Sequence, residues 1–431
     1  MSPASNSLLI RGGHVIDPAA NLDAEADVLL RDGRVITLGS KLAGKAEETL
    51  DARGLIVAPG LIDLHVHLRE PGQGHKETIG SGTAAAATGG FTSVCAMPNT
   101  SPVNDSPEWT TWMRQPARGA AVNVFPIAAV TRGSAGQELT DFAALHRAGA
   151  VAFTDDGKPV LDEALLRAAL QHARRLGVPI VQHAEDTAMT AGASMHAGAT
   201  SFRLGLRGMP AEGESRIVER DVELARAAGA HLHVAHLSTA AALKAVRRAR
   251  KERVRVTCEV TPHHFTLLDT DVTDAYDSRF KMNPPLRSGA DREALLAGLA
   301  DGTIDAIATD HAPHAAHEKN VEFDRAPFGV IGLETALPLA ITRLHRGHEI
   351  SLRRIVELLS TNPARIFGLN GRGSLAAGAH ADVVLFDPKK KWTYDASRSP
   401  SRSRNTPFDG WQFFGQVVAT VVGGKIVYRN S

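Results

Sequence analysis

Two histidines separated by one residue, His65 and His67, end an apolar run in the order Asp63-Leu64-His65-Val66-His67. Side chains on a strand alternate between faces, so both imidazoles project to the same side and can converge on one cation. Four more apolar runs end in metal-capable residues: Phe153-Thr154-Asp155-Asp156-Gly157, Val181-Gln182-His183-Ala184-Glu185, His233-Val234-Ala235-His236 and Ala308-Thr309-Asp310-His311. Each alone has an ordinary alternative, such as an Asp-Gly turn or a hydrogen-bonded core histidine. His231 and His233 read as histidines of that ordinary kind. Jointly, His65, His67, Asp156, His183, His236 and Asp310 make a set of imidazoles and carboxylates that favours zinc, with manganese, iron and cobalt also compatible. Six side chains exceed the needs of one tetrahedral zinc, so the expectation is one or two ions per chain, with two the better fit. A carboxylate at Asp156, or at its neighbour Asp155, can bridge two ions. Asp310 can both ligate an ion and accept a proton from water.

Residues so far apart along the chain meet only if regular elements bring them together. Eight apolar runs read as strands: 61–67, 92–97, 122–130, 151–155, 180–183, 232–236, 254–260 and 304–309. Helical spacing of apolar residues separates most of them, at 163–176, 215–228, 239–250 and 292–299, with Gly177, Gly229 and Gly302 at C-cap positions. Two more helical stretches follow at 333–344 and 352–359. Eight such alternations over about 250 residues predict a (β/α)8 TIM-like barrel, a fold that places catalytic groups at the C-terminal ends of its strands. The chain ends have a different pattern. Short apolar runs at 8–10, 26–30, 381–386 and 417–422, with hairpin signals at Asp32-Gly33 and Gly423-Gly424, predict a small β-sandwich domain built from both termini. The expected division is 1–58 and 369–431 for that domain and 59–368 for the barrel.

Composition narrows the function classes. The chain has 431 residues, 48 Lys+Arg against 47 Asp+Glu, and a net charge of +1, which argues against a nucleic-acid binder. No apolar run approaches the roughly 18 residues of a membrane span, and residues 1–7 lack the pattern of a secretory leader. Cys95 and Cys258 lie in apolar runs and read as buried, reduced thiols of a cytoplasmic protein. The basic stretch 389–404 reads as a solvated loop. The polar segment 315–326 follows the last strand, and reads equally as a lid or as a passive surface loop.

The motifs DLHVHLREPG (63–72), KETIGSG (76–82), MPNT (97–100), FTDDG (153–157), LGLRGMP (204–210), TPHH (261–264), KMNPPL (281–286), TDHAPH (309–314) and PFGVIGLET (327–335) resemble, in number and order, those of the bacterial type I dihydroorotases of the amidohydrolase superfamily. The resemblance covers nearly the whole chain. It implies that His65, His67 and Asp310 hold a first ion, His183 and His236 a second, and Asp156 bridges them. It implies reversible hydrolysis of (S)-dihydroorotate to N-carbamoyl-L-aspartate in de novo pyrimidine (UMP) biosynthesis, with attack by hydroxide generated on the metal and Asp310 as general acid and base. For the substrate it implies contacts from His67, Arg69, Asn99 and His314, and ring contacts from Asn283 and the backbone of Phe328 and Gly329. Arg69 lies two residues beyond His67 and on a strand would share its face, where a guanidinium can clamp a carboxylate. A homo-oligomer, as a dimer, and a complex with aspartate transcarbamoylase are further family expectations. The competing readings are an allantoinase or hydantoinase, and a non-catalytic partner of aspartate transcarbamoylase.

Overall fold

The computed structural model describes residues 7–42 and 46–430. Residues 1–6, most of the stretch read above as lacking a leader, lie outside the described residues.

The two chain ends share one eight-stranded sheet. Its path runs from Lys425–Arg429 through Gln412–Val422, Val383–Thr393, Ile56–Pro59, Ser7–Asp17 and Leu22–Arg31 to Arg34–Gly39, with Glu48–Asp51 also paired to Ser7–Asp17. The N- and C-terminal parts join where Val383 to Phe386 pair antiparallel with Pro59 to Ile56. Both predicted hairpins form, and each tip has positive φ at both central residues: Asp32 (49°) and Gly33 (75°), Gly423 (55°) and Gly424 (79°). Such turns follow the twist of the strands they join. Alternate residues such as Leu8, Ile10, Val28, Leu30, Val57, Val383, Leu385, Ala419 and Val421 are buried together, so this core needs both termini.

The middle of the chain is α/β with parallel strands. Leu61–Val66, Phe91–Ala96 and Asn123–Pro126 form one parallel group, and Ile180–Gln182, Leu232–Val234, Val256–Val260 and Ala306–Ile307 form another. Single parallel bridges connect them, at Ala128–Phe153, Phe153–Ile180 and Val66–His311. The helix Glu163–Leu176 has the predicted bounds, Ala240–Lys251 is shifted by one residue from its own, and Glu212–Ala228 and Gly289–Asp301 extend slightly beyond theirs. Gly177, Gly229 and Gly302 cap three of them in the left-handed conformation, as expected. The last two predicted helices each widen into a π-helical segment, at Ala340–His345 and Glu357–Thr361.

Most of the predicted strands are trimmed at their ends, and three are shortened most. The run 122–130 keeps a strand only at Asn123–Pro126, and 151–155 is reduced to bridges at Phe153. The run 304–309 keeps only Ala306–Ile307: Ala308 N still donates to Val260 O on the neighbouring strand (3.2 Å), but Thr309 N turns to the Asp63 carboxylate (3.1 Å). The same carboxylate oxygen accepts from His65 N at 3.1 Å. One buried aspartate therefore takes over backbone bonds where the first and last parallel strands meet.

The solvated-loop reading of 389–404 needs correction. Lys389, Lys390 and Lys391 are exposed, but Ser399, Ser401, Ser403, Asn405 and Thr406 are buried. Ser401 Oγ and Arg402 N both donate to Glu77, and Ser403 Oγ donates to Lys76 O. Arg402 and Arg404 point outward, which made the stretch look solvated in the sequence. Cys95 and Cys258 are buried and free, as expected, and no helix is long and apolar enough to cross a membrane among the described residues.

Candidate metal centre and pocket

The structure gathers all six predicted donors at one place. His65 Nε2 lies 3.4 Å from both Asp156 Oδ1 and Asp310 Oδ1. His67 Nε2 lies 3.1 Å from Asp310 Oδ1 and 3.5 Å from Asp156 Oδ2. On the other side, Asp156 Oδ1 lies 3.7 Å from His183 Nδ1 and 3.8 Å from His236 Nε2. Two clusters result, His65–His67–Asp156 and Asp156–His183–His236, with Asp156 common to both. Asp155 is turned away, with its carboxylate accepting from Thr131 N at 3.0 Å and from Thr131 Oγ1.

The buried surroundings select the tautomer of three of the four imidazoles. His65 Nδ1 is 3.2 Å from Glu259 Oε1, His67 Nδ1 is 2.8 Å from Asn99 Oδ1, and His183 Nε2 is 2.8 Å from Glu185 Oε2. Each acceptor takes the ring N–H, which leaves the other nitrogen's lone pair aimed at the shared aspartates. His65 Nε2 is buried with no hydrogen-bond partner, and His183 Nδ1 and His236 Nε2 face each other at 2.9 Å. Lone pairs converging in this way on carboxylates fit divalent cations in two adjoining positions. Burial opposes protonation of His65, but Asp156 and Asp310 outweigh it and raise its pKa. Burial likewise opposes ionisation of Asp310, and His65 and His67 overcome it, holding its carboxyl well below the usual range. Two of the donors sit on strained backbone: His236 and Asp310 have φ of 32° and 49°. Side chains in this region cost on the order of 1–3 kcal/mol each and persist where the surroundings overdetermine them.

A cavity of about 220 Å³ opens beside the cluster. Every predicted site residue except the deeper His65 lines it, including Arg69, Asn99, Asn283, His314, Phe328 and Gly329. A larger cavity, about 440 Å³, lies against Trp392, Tyr394 and Glu334 and contains none of the predicted site residues. Arg69 reaches the pocket by a different route from the one predicted. The strand ends at Val66, and Arg69 has φ 63°, so a left-handed turn, not strand alternation, aims it. Its Nε donates to Pro313 O at 3.0 Å, and burial lowers its pKa to about 10, so it stays charged. Asn99 has a second task beyond lining the pocket: its Nδ2 donates to Asp156 Oδ2 at 3.2 Å. Asn283 Nδ2 donates to Glu185 Oε2 at 2.8 Å, and His314 Nε2 donates to Phe328 O at 2.8 Å. Burial, then the nearby Arg69, pulls His314 down to about 3, so it is neutral. Gly329 has φ 139°, and a Cβ there would stand 2.7 Å from the Ala312 Cβ and 2.9 Å from Ala312 O. Only glycine lets the two segments approach so closely.

The family pattern described as "Dihydro-orotase-like" matches residues 54–242. A protein of Solibacter usitatus named dihydroorotase is 53% identical over 425 residues, 98% of each chain, and one of Geobacter sp. strain M21 with the same name is 50% identical over 98% of this chain and 99% of its own. This chain belongs to the dihydroorotase family. Among solved structures, the L-hydantoinase (dihydropyrimidinase) of Arthrobacter aurescens superposes with a TM-score of 0.88 at 26% identity, covering 98% of this chain and 96% of its own. The dihydropyrimidinase of Brevibacillus agri NCHU1002 gives 0.85 at 26% identity, with coverage of 98% and 95%.

Several residues of this dihydroorotase-family site escaped the sequence reading. Glu259 backs His65, and His233, read as a bystander, is 3.1 Å from the other Glu259 oxygen. His233 therefore holds the carboxylate that orients a donor, whereas His231 meets only Thr257 Oγ1, at 2.8 Å. The available signal was a lone carboxylate inside the apolar run 254–260. Glu185, two residues past His183, was visible in the same way. The hydrogen bond of His183 pulls the Glu185 carboxyl down to about 2 against the effect of burial.

Proposed function

We propose that this chain is a metal-dependent dihydroorotase that interconverts (S)-dihydroorotate and N-carbamoyl-L-aspartate in pyrimidine biosynthesis. The observation that carries this reading is Asp156 shared between two histidine pairs beside a pocket that also contains the buried guanidinium of Arg69. Its scaffold is read as a closed (β/α)8 barrel over 59–368, with 1–58 and 369–431 forming a β-sandwich domain; the bridges that join the two parallel groups support closure.

His65, His67 and Asp310 would hold one ion, His183 and His236 the other, with Asp156 between them. The donor set favours zinc. Bound divalent cations supply Lewis acidity, which lowers the pKa of water and polarises a carbonyl. Arg69 clamps the substrate carboxylate, with Asn99 and His314 beside it, while Asn283 and the Phe328–Gly329 backbone meet the ring. Asp310, ionised and facing the cavity, takes the proton of the attacking water. It then delivers that proton to the ring nitrogen as the C–N bond breaks. Closure of the ring consumes a proton, so acid favours dihydroorotate.

The solved structures that superpose include hydantoinases, yet these share only 23–26% identity against 53% for a relative named dihydroorotase. The presence of all six donors in one cluster argues against a non-catalytic partner of aspartate transcarbamoylase. The deciding experiment measures hydrolysis of dihydroorotate, hydantoin and allantoin, with elemental analysis before and after chelation. Dihydroorotate turnover that is lost with the metal and restored by zinc is expected; preference for hydantoin or allantoin would overturn the assignment. Sedimentation of the same protein tests the dimer.

A further inference from the structure

Two lysines are buried beside the pocket without a carboxylate partner among the described residues. Lys281 is 3% exposed and Lys319 is 7% exposed. Lys281 Nζ donates to Phe323 O at 2.7 Å and to Asp324 O at 2.8 Å, and lies 4.6 Å from the centre of the Phe328 ring. Lys319 Nζ donates to Pro327 O at 2.8 Å, Gly329 O at 3.2 Å and Lys281 O at 3.4 Å. The main chain adds to this, with Gly329 N donating to Lys281 O at 2.9 Å. The two ammonium groups thus bind backbone to backbone between 277–284 and 319–329.

Burying an ammonium without a counter-ion costs several kcal/mol, and that cost is tolerated where other groups depend on the charge. Here the dependents are carbonyls of an irregular segment. Phe323, Asp324, Pro327 and Gly329 lie outside any regular element, so their oxygens have no ladder to join. An ammonium offers three tetrahedral donors and suits such a cluster. Apart from Lys281 acting on Lys319, the charged groups that act on the two lysines are Asp277 and Asp324, and neither forms an ion pair with them. What the cage holds in place is part of the pocket: Phe328 and Gly329 line it, and so does Asn283, two residues after Lys281. Phe323 anchors the same segment by burial against Met195, Leu204 and Val272.

We infer that Lys281 and Lys319 are positioning residues that clasp the 315–329 segment as a fixed wall of the pocket and so set substrate affinity. The inference rests on the reading of that pocket as the dihydroorotate site. The test uses zinc-loaded full-length protein carrying Lys319→Met, Lys281→Met, both together, or Lys319→Arg. For either methionine variant, KM for dihydroorotate is expected to rise about tenfold or more, with kcat within about threefold and the metal content unchanged. The double variant is expected to be no worse than the worse single one, because the two lysines act on one wall. Lys319→Arg keeps the charge but spreads its donors in a plane, and guards against a methionine variant that fails to fold; its KM is expected to rise about threefold. A KM unchanged from wild type in any folded, metal-loaded variant overturns the inference, as does loss of kcat and metal at constant KM. Hydrogen exchange separates this from the assignment of the substrate. If wild-type protein ignores dihydroorotate, faster exchange confined to 315–329 in Lys319→Met still supports the clasp, and unchanged exchange there overturns it.

Discussion

The rim that gathers the imidazoles and the wall that faces it across the cavity are built by opposite electrostatic means. At the rim, donors stand at or just beyond strand ends, and acceptors such as Glu259, Glu185 and the Asn99 carbonyl take their outer N–H groups. At the wall, backbone carbonyls of an irregular segment converge on the ammonium groups of Lys281 and Lys319. The rim brings the carboxylates Asp156 and Asp310 to the cavity, whereas the wall presents Phe328 and Gly329 to it, and the two lysines that hold them do not themselves line it. The difference teaches that the two tasks are separable: rim residues should govern metal and chemistry, wall residues the fit of the substrate.

The largest expected effect falls on the rim. Asp310→Asn should keep much of the metal but lose about 10²–10⁴-fold in kcat, the usual worth of a general acid–base group, measured by turnover of dihydroorotate with metal analysis. Turnover near wild type would remove Asp310 from proton transfer. Next, Glu259→Gln should weaken metal binding by about 10–100-fold through a misoriented His65, read by titration against a competing chelator, with little change in KM once the protein is loaded. A raised KM at full loading would blur the separation of rim from wall. Gly329→Ala sharpens it from the other side. Its Cβ would press on Ala312 and lie 3.1 Å from His314 Nε2, so kcat/KM should fall about tenfold, mostly through KM, at constant metal content. Loss of metal in that variant would show that the regions are coupled.

The smallest effect concerns the support behind the wall. Glu334 accepts from Ser399 Oγ and lies 3.4 Å from the Tyr394 hydroxyl, and burial raises its carboxyl from 4.5 to about 7. The folded state therefore holds this proton more tightly than the unfolded chain. The stabilisation is complete below pH 4.5 and is lost as pH rises through about 7. Glu334→Gln should flatten that part of the stability curve, measured by denaturant unfolding at several pH values, and leave metal content unchanged.

Much of the rim was legible because strand alternation and metal chemistry both act locally. His65 and His67 share a face by period two, and each remaining donor follows an apolar run, so residue type and position agreed. The wall was harder to read. The segment 315–326 has no periodicity and reads equally as a lid or a surface loop; its anchors, Lys281 and Phe323, become visible only through contacts between residues far apart along the chain. Ser399 to Thr406 looked solvated because its arginines face out while its serines bond to Glu77 and Glu334. His233 looked idle because its role depends on Glu259, which lies on the next strand.

Local chemistry along the chain therefore specified the donors, the alternation of strands and helices and the two hairpins, since each depends on neighbours within a few residues. The choice of Asp156 over Asp155, the left-handed turn that aims Arg69, and the carbonyl cages around two lysines were settled by folding. Each depends on which buried polar group finds a partner once distant segments meet, and an unpaired buried group costs too much to leave that choice open.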